Sequence, residues 1–524
     1  MFTPDEAVSF LAGALPDVPV GTDPRAAARL AERCGYLPLA LSVLAGHVRN
    51  TDGWTLTDHA DRLDERRHQQ RLDSGVEFAL SLSYQHLPAD RQRLLRLAAL
   101  HPGQDFDAYA AAALTGTRLV TARTRLGHLR RDHLLQESGR DRYSFHDLVR
   151  TYAAGRAQDQ DRPAERRAAL TRLFDHYLAV SAAAVNVLDP AERHWRPPVP
   201  ATDTPAPELT DPHTATVWLD TERSTLTAVA AHTAAHGWPG HTVRLSRTLC
   251  SYFNDSGHFS SAVTVHGHAR QAALYGGDRA GQAHAMRDLG YAYLRLGDHE
   301  MASTHLEPAL DLFRELRDPL GEARALTSLG YVADRTGDYP QAIARKRHAL
   351  TLYRQEGDRL GQTRALLGLG ISLRRIGDFA DAIDCYQQNL TLARQSGDLR
   401  TVASTLNNLG VVETQLERYD DAHTHLQHAL TLYRQFASRA GEAHALDNLG
   451  LLHNRHDQPE AATACHHQAR AHAGLGRAHH ALGHTDQARH HCQQAAAFYT
   501  DLGTPEADEV RARLAALSTD TRTT

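Results

Sequence analysis

Apolar and small residues recur at helical spacing in the second half of the chain, and the pattern returns every 40 residues from residue 281. In the first unit Ala283, Met286 and Leu289 share one face of a predicted helix. The units are marked by Leu-Gly at 289–290, 329–330, 369–370, 409–410 and 449–450, by Gly-Asp at 297–298, 337–338 and 377–378, and by alanine at 302, 342, 382, 422 and 462. Such a long period predicts a stacked array of repeats.

The composition of one unit predicts two helices joined by a tight turn. Gly290 has no side chain, so we expect a neighbouring helix to approach closely there. Gly297 favours the left-handed conformation that ends a first helix, and Asp298 is suited to cap the second helix. A single hairpin cannot bury its own apolar faces, so stacking of units must supply the core.

These units resemble tetratricopeptide repeats (TPR) of the Leu-Gly-Asn type over roughly residues 241–510. The resemblance implies a concave groove, lined by the first helices, for an extended peptide that is acidic where arginines cluster. In that variant an asparagine before Leu-Gly contacts the ligand backbone, and Asn408 and Asn448 match it. The alternative is a solvated charged face. The candidate partner-binding residues are His284, Arg287, Arg295, Arg324, Arg335, Arg364, Arg374, Arg375, Asn408 and Asn448.

The array has one irregular spacing near its end. Leu475-Gly476 follows Gly450 by 26 residues rather than 40. The 14 missing residues are close to four helical turns, so helical phase is kept. We therefore expect the second helix of one repeat to run into the first helix of the next between 441 and 500.

The first third of the chain predicts short helices and then a winged helix. Gly35 ends one helix and Pro38 opens the next, which by itself is only a helix–turn–helix corner. Helices are expected at Arg91–Leu100, Phe106–Thr115 and Thr121–Asp132, and a two-stranded wing at Leu134–Glu137 and Tyr143–His146. A helical connector, Ala164–Leu188, precedes a proline-rich segment, Pro190–Pro212, which predicts a stiff extended linker.

Two of these motifs resemble the back half of the NB-ARC module of STAND signalling ATPases, as in bacterial antibiotic-pathway regulators. Gly35–Leu41 resembles the Gly-Leu-Pro-Leu motif, which implies that Pro38 packs on adenine. Phe145-His146-Asp147 resembles the Met-His-Asp motif, which implies that His146 reaches the β-phosphate of ADP. In that family the nucleotide domain lies upstream, and this chain starts about 35 residues before the first motif. We expect these contacts to be vestigial, with ADP or ATP bound only if a separate P-loop domain is supplied.

The chain has a single lysine, Lys346, among its 57 basic residues. It lies in Ala-Arg-Lys-Arg-His without a glycine loop, so it does not form a Walker A motif. We find no catalytic motif and predict a protein that is not an enzyme. The net charge of −5 argues against general nucleic-acid or membrane binding, and the five scattered cysteines and the lack of a signal-like N-terminus favour the cytoplasm.

Two further sites are weaker hypotheses. Residues 121–142 carry six arginines against three acids, which would suit DNA contact by the winged helix, for example through Arg123–Arg131, in a regulator of secondary metabolism. Histidines crowd 466–492, and His480 and His484 are spaced to share a metal. Gly483 interrupts that helix and no acidic ligand is in phase, so we predict no metal site.

The predicted fold class is mostly all-α: a right-handed TPR superhelix preceded by a small ARC-like helical segment and a winged-helix domain. The protein is predicted to act in regulation or as a scaffold by binding a protein or peptide in the groove. The expected domains are 1–70 (ARC-like), 71–157 (winged helix), 158–235 (connector, with the linker 189–212), 236–515 (TPR) and 516–524 (disordered tail).

Overall fold

The computed structural model describes residues 1–49, 53–61, 75–436, 438–456, 458, 493, 511 and 514. The chain divides into one unit of residues 1–190 and 197–248 and a second unit of 191–196 and 249–524. In the described part, no helix has the length and apolar character needed to span a membrane. The predictions on the repeat junction at 441–500, the histidine-rich stretch and the tail depend on residues outside this part.

The first unit is built mainly from helices. The capping box of Thr3 and Glu6 starts the first of them, and Pro38 opens the third, as expected. The helices are α1 (Pro4–Ala14), α2 (Ala26–Arg33), α3 (Pro38–Arg49), α4 (Gly75–His86), α5 (Ala89–Ala99), α6 (Ala108–Thr115), α7 (Leu119–Arg131), α8 (Asp147–Gln160), α9 (Pro163–Leu188) and α10 (Pro212–Ala235).

A small antiparallel sheet lies among these helices. Its strands are β1 (Asp105–Asp107), β2 (Gln136–Gly139) and β3 (Arg142–Ser144), in the order β1-β3-β2. The expectation of a helix from Phe106 was wrong at its start, because Phe106 pairs with Tyr143 and Asp107 caps α6 through the amide of Ala110. The predicted two-stranded wing is thereby extended to three strands; the winged-helix assignment itself stays a prediction.

The proline-rich segment departs from the expected linker at its beginning. Pro190–Trp195 forms a 3₁₀ helix rather than extended chain. Trp195 is only 8% exposed, which is low for a residue of a linker. Its surroundings belong to the second unit and are described with the groove below.

The second unit is an array of helical pairs, which confirms the all-α TPR fold class. Aspartates spaced 20 residues apart cap both helices of most pairs; Asp298, for example, accepts the amide of Met301 at 3.0 Å. Helix α11 (Pro239–Asp255) includes the boundary between the two units at 248–249. The helices that follow it are α12 (Phe259–Gly276), α13 (Arg279–Leu296), α14 (His299–Leu316), α15 (Pro319–Thr336), α16 (Tyr339–Gln355), α17 (Arg359–Arg375), α18 (Phe379–Ser396), α19 (Leu399–Gln415), α20 (Tyr419–Gln435) and α21 (Arg439–Arg455).

In the first four Leu-Gly pairs the glycine lies where the second helix of the same repeat approaches. A Cβ atom added at Gly290 would lie 2.6 Å from Leu306, and one at Gly370 would lie 2.5 Å from Tyr386. The close approach predicted for Gly290 is thus confirmed, as is the left-handed conformation of Gly297 (φ 84°). The apolar faces meet in one core that continues from repeat to repeat.

Candidate partner-binding groove

First helices line the inner face of the array. The first helices α13, α15, α17 and α19 each pack on the first helix of the following repeat, the last of them on α21, and second helices do so less. Residues at equal positions in successive first helices therefore form a ladder across the repeats. Arg324 of α15 and Arg364 of α17 are two steps of that ladder, 40 residues apart.

Both arginines contact the indole ring of Trp195. The guanidinium carbon of Arg324 lies 4.5 Å from the ring centroid, and that of Arg364 lies 4.7 Å from it. These distances are within the range of cation–π attraction. The 3₁₀ segment thus brings an aromatic side chain onto two residues that the sequence assigned to partner binding.

The polar edge of the indole is held by the cap of a first helix. Asp358 caps α17 by accepting the amide of Gly361 at 3.0 Å, and its other carboxylate oxygen accepts the Nε1–H of Trp195 at 2.9 Å. His194 Nε2 lies 3.4 Å from the same carboxylate. Because Asp358 is buried, one carboxylate serves both the fold of the array and the docked segment.

A carboxylate of the segment completes the contact. Glu192 forms an ion pair with Arg364, and its side chain is 12% exposed. Burial raises the pKa of Glu192, but the charges of Arg364, Arg324 and Arg196 more than offset this, so its pKa is lowered overall. Burial lowers the pKa of Arg324 to about 10, which leaves it charged at neutral pH.

A second charged group lies beside Arg324 on the inner face. Arg287 and Asp288 form a buried ion pair, and the Oδ2 atom of Asp288 has no hydrogen-bond partner among the described residues. Asp288 precedes Leu289-Gly290 and is one of the residues that depart from the asparagine found at Asn408 and Asn448. Nearby, the His284 ring lies 5.0 Å from that of Phe313. One buried acceptor of this ion pair is thus left without a hydrogen bond among the described residues.

The other candidate residues lie along the same helices without contacting Trp195. Arg295 lies over Phe259, 4.7 Å from the ring centroid. Asn408 donates to the carbonyl of Ser404 at 2.8 Å, and Asn448 donates to Asn407 at 3.0 Å. Arg335 and Arg375 are exposed and Arg374 is half-buried. Their part in binding stays a prediction.

The proposed nucleotide contacts are in the first unit. Pro38 is exposed at the start of α3, and His146 caps α8 by accepting the amide of Leu148 at 3.3 Å. His146 therefore has a structural role whether or not it meets a phosphate. In the described residues, no three histidine, cysteine or acidic side chains converge as a metal site would require.

Sequence reasoning missed half of this site. Glu192 and Trp195 lay in the segment interpreted as a linker, and the sequence analysis did not single out Asp358. One signal was present: a tryptophan and an acid within a proline-rich stretch, in a chain with four tryptophans. Large aromatic residues are uncommon in linkers because exposing them gains nothing.

Comparison with known families identifies the array as tetratricopeptide repeats. The repeat model matches residues 245–315, 291–355, 321–395, 361–435 and 401–472. The chain is similar to the regulatory protein AfsR of Streptomyces griseus, with 31% identity over 328 residues, 61% of this chain and 33% of that protein. It is also 31% identical to AfsR of Streptomyces coelicolor over 317 residues, 59% of this chain and 31% of that protein. The expected resemblance to TPR-containing bacterial regulators is thus confirmed, and the chain spans about a third of the length of these relatives.

Two solved structures show a distant likeness. One is a STAND protein with a tetratricopeptide repeat sensor, PH0952 from Pyrococcus horikoshii, at 14% identity and a TM-score of 0.41, covering 99% of this chain and 69% of that one. The other is a Rap protein complexed with competence and sporulation factor, at 10% identity and a TM-score of 0.44, covering 66% of this chain and 98% of that one.

Proposed function

We propose that this chain acts in a cytoplasmic regulatory protein and binds a protein partner on the inner face of its repeats, without catalysing a reaction. The observation that carries the proposal is that the inner face already holds a peptide segment. Arg324, Arg364 and Asp358 surround Trp195 with two cations and one acceptor. A groove that binds its own chain in this way has the shape and charge to bind another chain.

The charges of the groove favour an acidic partner segment. Arg287, Arg324 and Arg364 occupy successive repeats, and the amides of Asn408 and Asn448 lie at the position that, by the resemblance, would meet the backbone of a ligand. Guanidinium groups pair well with carboxylates, and partly buried pairs are screened less by salt than exposed ones.

The structure gives less support to DNA binding through residues 121–142. Arg125 pairs with Asp90 at 2.7 Å, Arg130 pairs with Glu137, and Arg142 pairs with Asp105 at 2.7 Å and with Glu222. Half of the six arginines are thereby neutralised within the unit. Residual DNA affinity would appear as salt-dependent retention on a DNA pool.

A nucleotide-dependent switch would need a phosphate-binding loop supplied from elsewhere. The single lysine, Lys346, is buried in the array and bonded to Asp334, so it is not a phosphate ligand. Pro38 and His146 are then the residues that would contact adenine and the β-phosphate of ADP.

The test is affinity capture with the full chain, using lysate from the organism that encodes it. We expect a protein captured by the wild type to be lost when Arg324, Arg364 and Asn408 are all changed to alanine. The matched control changes Arg347, Arg354 and Gln427 on second helices to alanine and should retain it. Equal recovery by both triple variants would contradict the groove assignment.

A further inference from the structure

The segment Ala191–Arg196 has the contacts of a bound ligand rather than of a connector. Its tryptophan is buried, its glutamate pairs with Arg364, and Arg196 donates to the hydroxyl of Ser251 at 3.3 Å. Within the unit it belongs to, this segment is separated in sequence from the repeats whose helices it meets. The 3₁₀ helix is formed by neighbouring residues, whereas the residues that it contacts lie far away in the sequence.

We propose that the inner groove recognises a carboxylate followed three residues later by tryptophan, and that Glu192 and Trp195 form the internal copy of this motif. The inference rests on the proposed function and specifies the partner: a protein segment with an acid–x–x–tryptophan pattern in a single helical turn. Such a partner competes with Ala191–Arg196 for the same arginines.

The spacing follows from the geometry of the segment. A 3₁₀ helix has three residues per turn, so the side chains of residues three apart lie on one side. Glu192 and Trp195 therefore reach Arg364 together. Arg193, between them, is exposed. A spacing of one or two residues would turn one of the two groups away from the inner face.

The recognised aromatic residue is specified by Asp358. Its carboxylate accepts the indole N–H, and phenylalanine offers no such donor. Loss of a hydrogen bond to a buried charged group weakens binding by roughly tenfold or more. The groove should therefore prefer tryptophan to phenylalanine, although the two arginines attract either ring.

The internal segment Ala191–Arg196 also weakens the binding of a separate peptide, because both compete for the same groove. A tethered segment acts at an effective concentration of about 1 mM. If the free peptide binds with a Kd of about 10 μM, the tethered copy weakens its apparent affinity about 100-fold. Removing Trp195 from the chain should restore that affinity.

The experiment uses a fluorescein-labelled peptide of residues 188–198 and the full-length chain, followed by fluorescence anisotropy. We expect weak binding to the wild type and binding at least tenfold tighter to Trp195→Ala. Adding Arg364→Ala to that variant should abolish the gain, whereas adding Arg347→Ala, on an exposed arginine of the second helix α16, should not. If circular dichroism shows that Trp195→Ala is misfolded, Glu192→Gln, which keeps the tryptophan, replaces it as the variant with a weakened internal segment.

The control peptide carries Glu192→Gln and Trp195→Ala. Equal binding of both peptides, or no effect of Arg364→Ala, would overturn the inference. Panning Trp195→Ala against a library of random 12-residue peptides separates the two proposals. Binders that depend on Arg364 but lack the acid–x–x–tryptophan pattern would refute only the motif, and the absence of any such binder would refute the groove as well.

Discussion

Lys346 provides a direct test of how the array is held together. Its side chain is fully buried, and its ammonium group contacts the carboxylate of Asp334, the carbonyl of Gly368 at 3.1 Å and the hydroxyl of Ser372 at 2.8 Å. These partners lie on α15 and α17, so one side chain of α16 joins two repeats. Asp334→Ala removes the opposite charge and leaves the cation buried.

The expected cost follows from what the ammonium can do. The ammonium could escape the penalty of burial by losing its proton. At pH 7 deprotonation costs about 1.4 kcal/mol for each pH unit below the ordinary lysine pKa of 10.5, or about 5 kcal/mol in all. The remaining bonds to Gly368 and Ser372 reduce this, so we expect Asp334→Ala to cost about 3 kcal/mol. Lys346→Met removes the charge itself and leaves Asp334, which water reaches, so it should cost less than about 1.5 kcal/mol.

The measurement is native-state hydrogen exchange of amides in α15, α16 and α17, which reports the local opening free energy in a repeat array. Burial lowers the pKa of Lys346, and the charge of Asp334 opposes this. Without Asp334 the folded pKa falls further, so the unfolded state binds more protons and stability must rise with pH toward the unfolded pKa. The Asp334→Ala penalty should therefore shrink between about pH 7 and 9.5. A penalty that is independent of pH, or equal to that of Lys346→Met, would refute the reasoning.

Two further predictions concern packing and acid stability. Gly370→Ala places a methyl group 2.5 Å from Tyr386 and should destabilise the protein by about 1–3 kcal/mol. Gly267→Ala meets no atom within 4 Å and should stabilise α12 by about 0.5–1 kcal/mol. Thermal melting should therefore shift in opposite directions for the two variants, and a shift in the same direction would contradict this. Burial lowers the pKa of His101 from 6.5 to about 3, so between these values the unfolded state binds more protons and the unfolding free energy falls by about 1.4 kcal/mol per pH unit as acid is added. His101→Phe should flatten the decline of the urea midpoint between about pH 6 and 4, and an unchanged slope would contradict the buried neutral ring.

The parts of the fold that the sequence predicted are those set by local rules. A left-handed glycine, an aspartate cap and a small residue at a helix crossing each act within a few residues, and repetition every 40 residues makes them conspicuous. The same rules explain the exception in repeat four, where Glu417 adopts a positive φ of 60° and Arg418 gives no side-chain cap.

What the sequence left undetermined depends on contacts between distant residues. The sequence around Trp195 gives no sign that its indole contacts Asp358, which lies 163 positions away. A second glycine series was overlooked, although it has the same period: Cβ atoms at Gly321 and Gly361 would lie 2.2 Å from Phe313 and Tyr353 of the preceding helices. The strand β1 was also missed, because three residues carry too little alternation to predict a strand.

The charges on the inner face bear more on selectivity than on strength of binding. A wholly apolar segment placed over Arg324 and Arg364 would desolvate two cations without pairing either, which costs free energy. Glu192 compensates one cation and the indole ring attracts both, so the internal segment avoids that penalty. A partner that binds as we propose would supply the same two groups, and Asp358 would in addition require an N–H donor. On this proposal we expect most hydrophobic peptides to bind weakly, because they would leave the two arginines desolvated and unpaired.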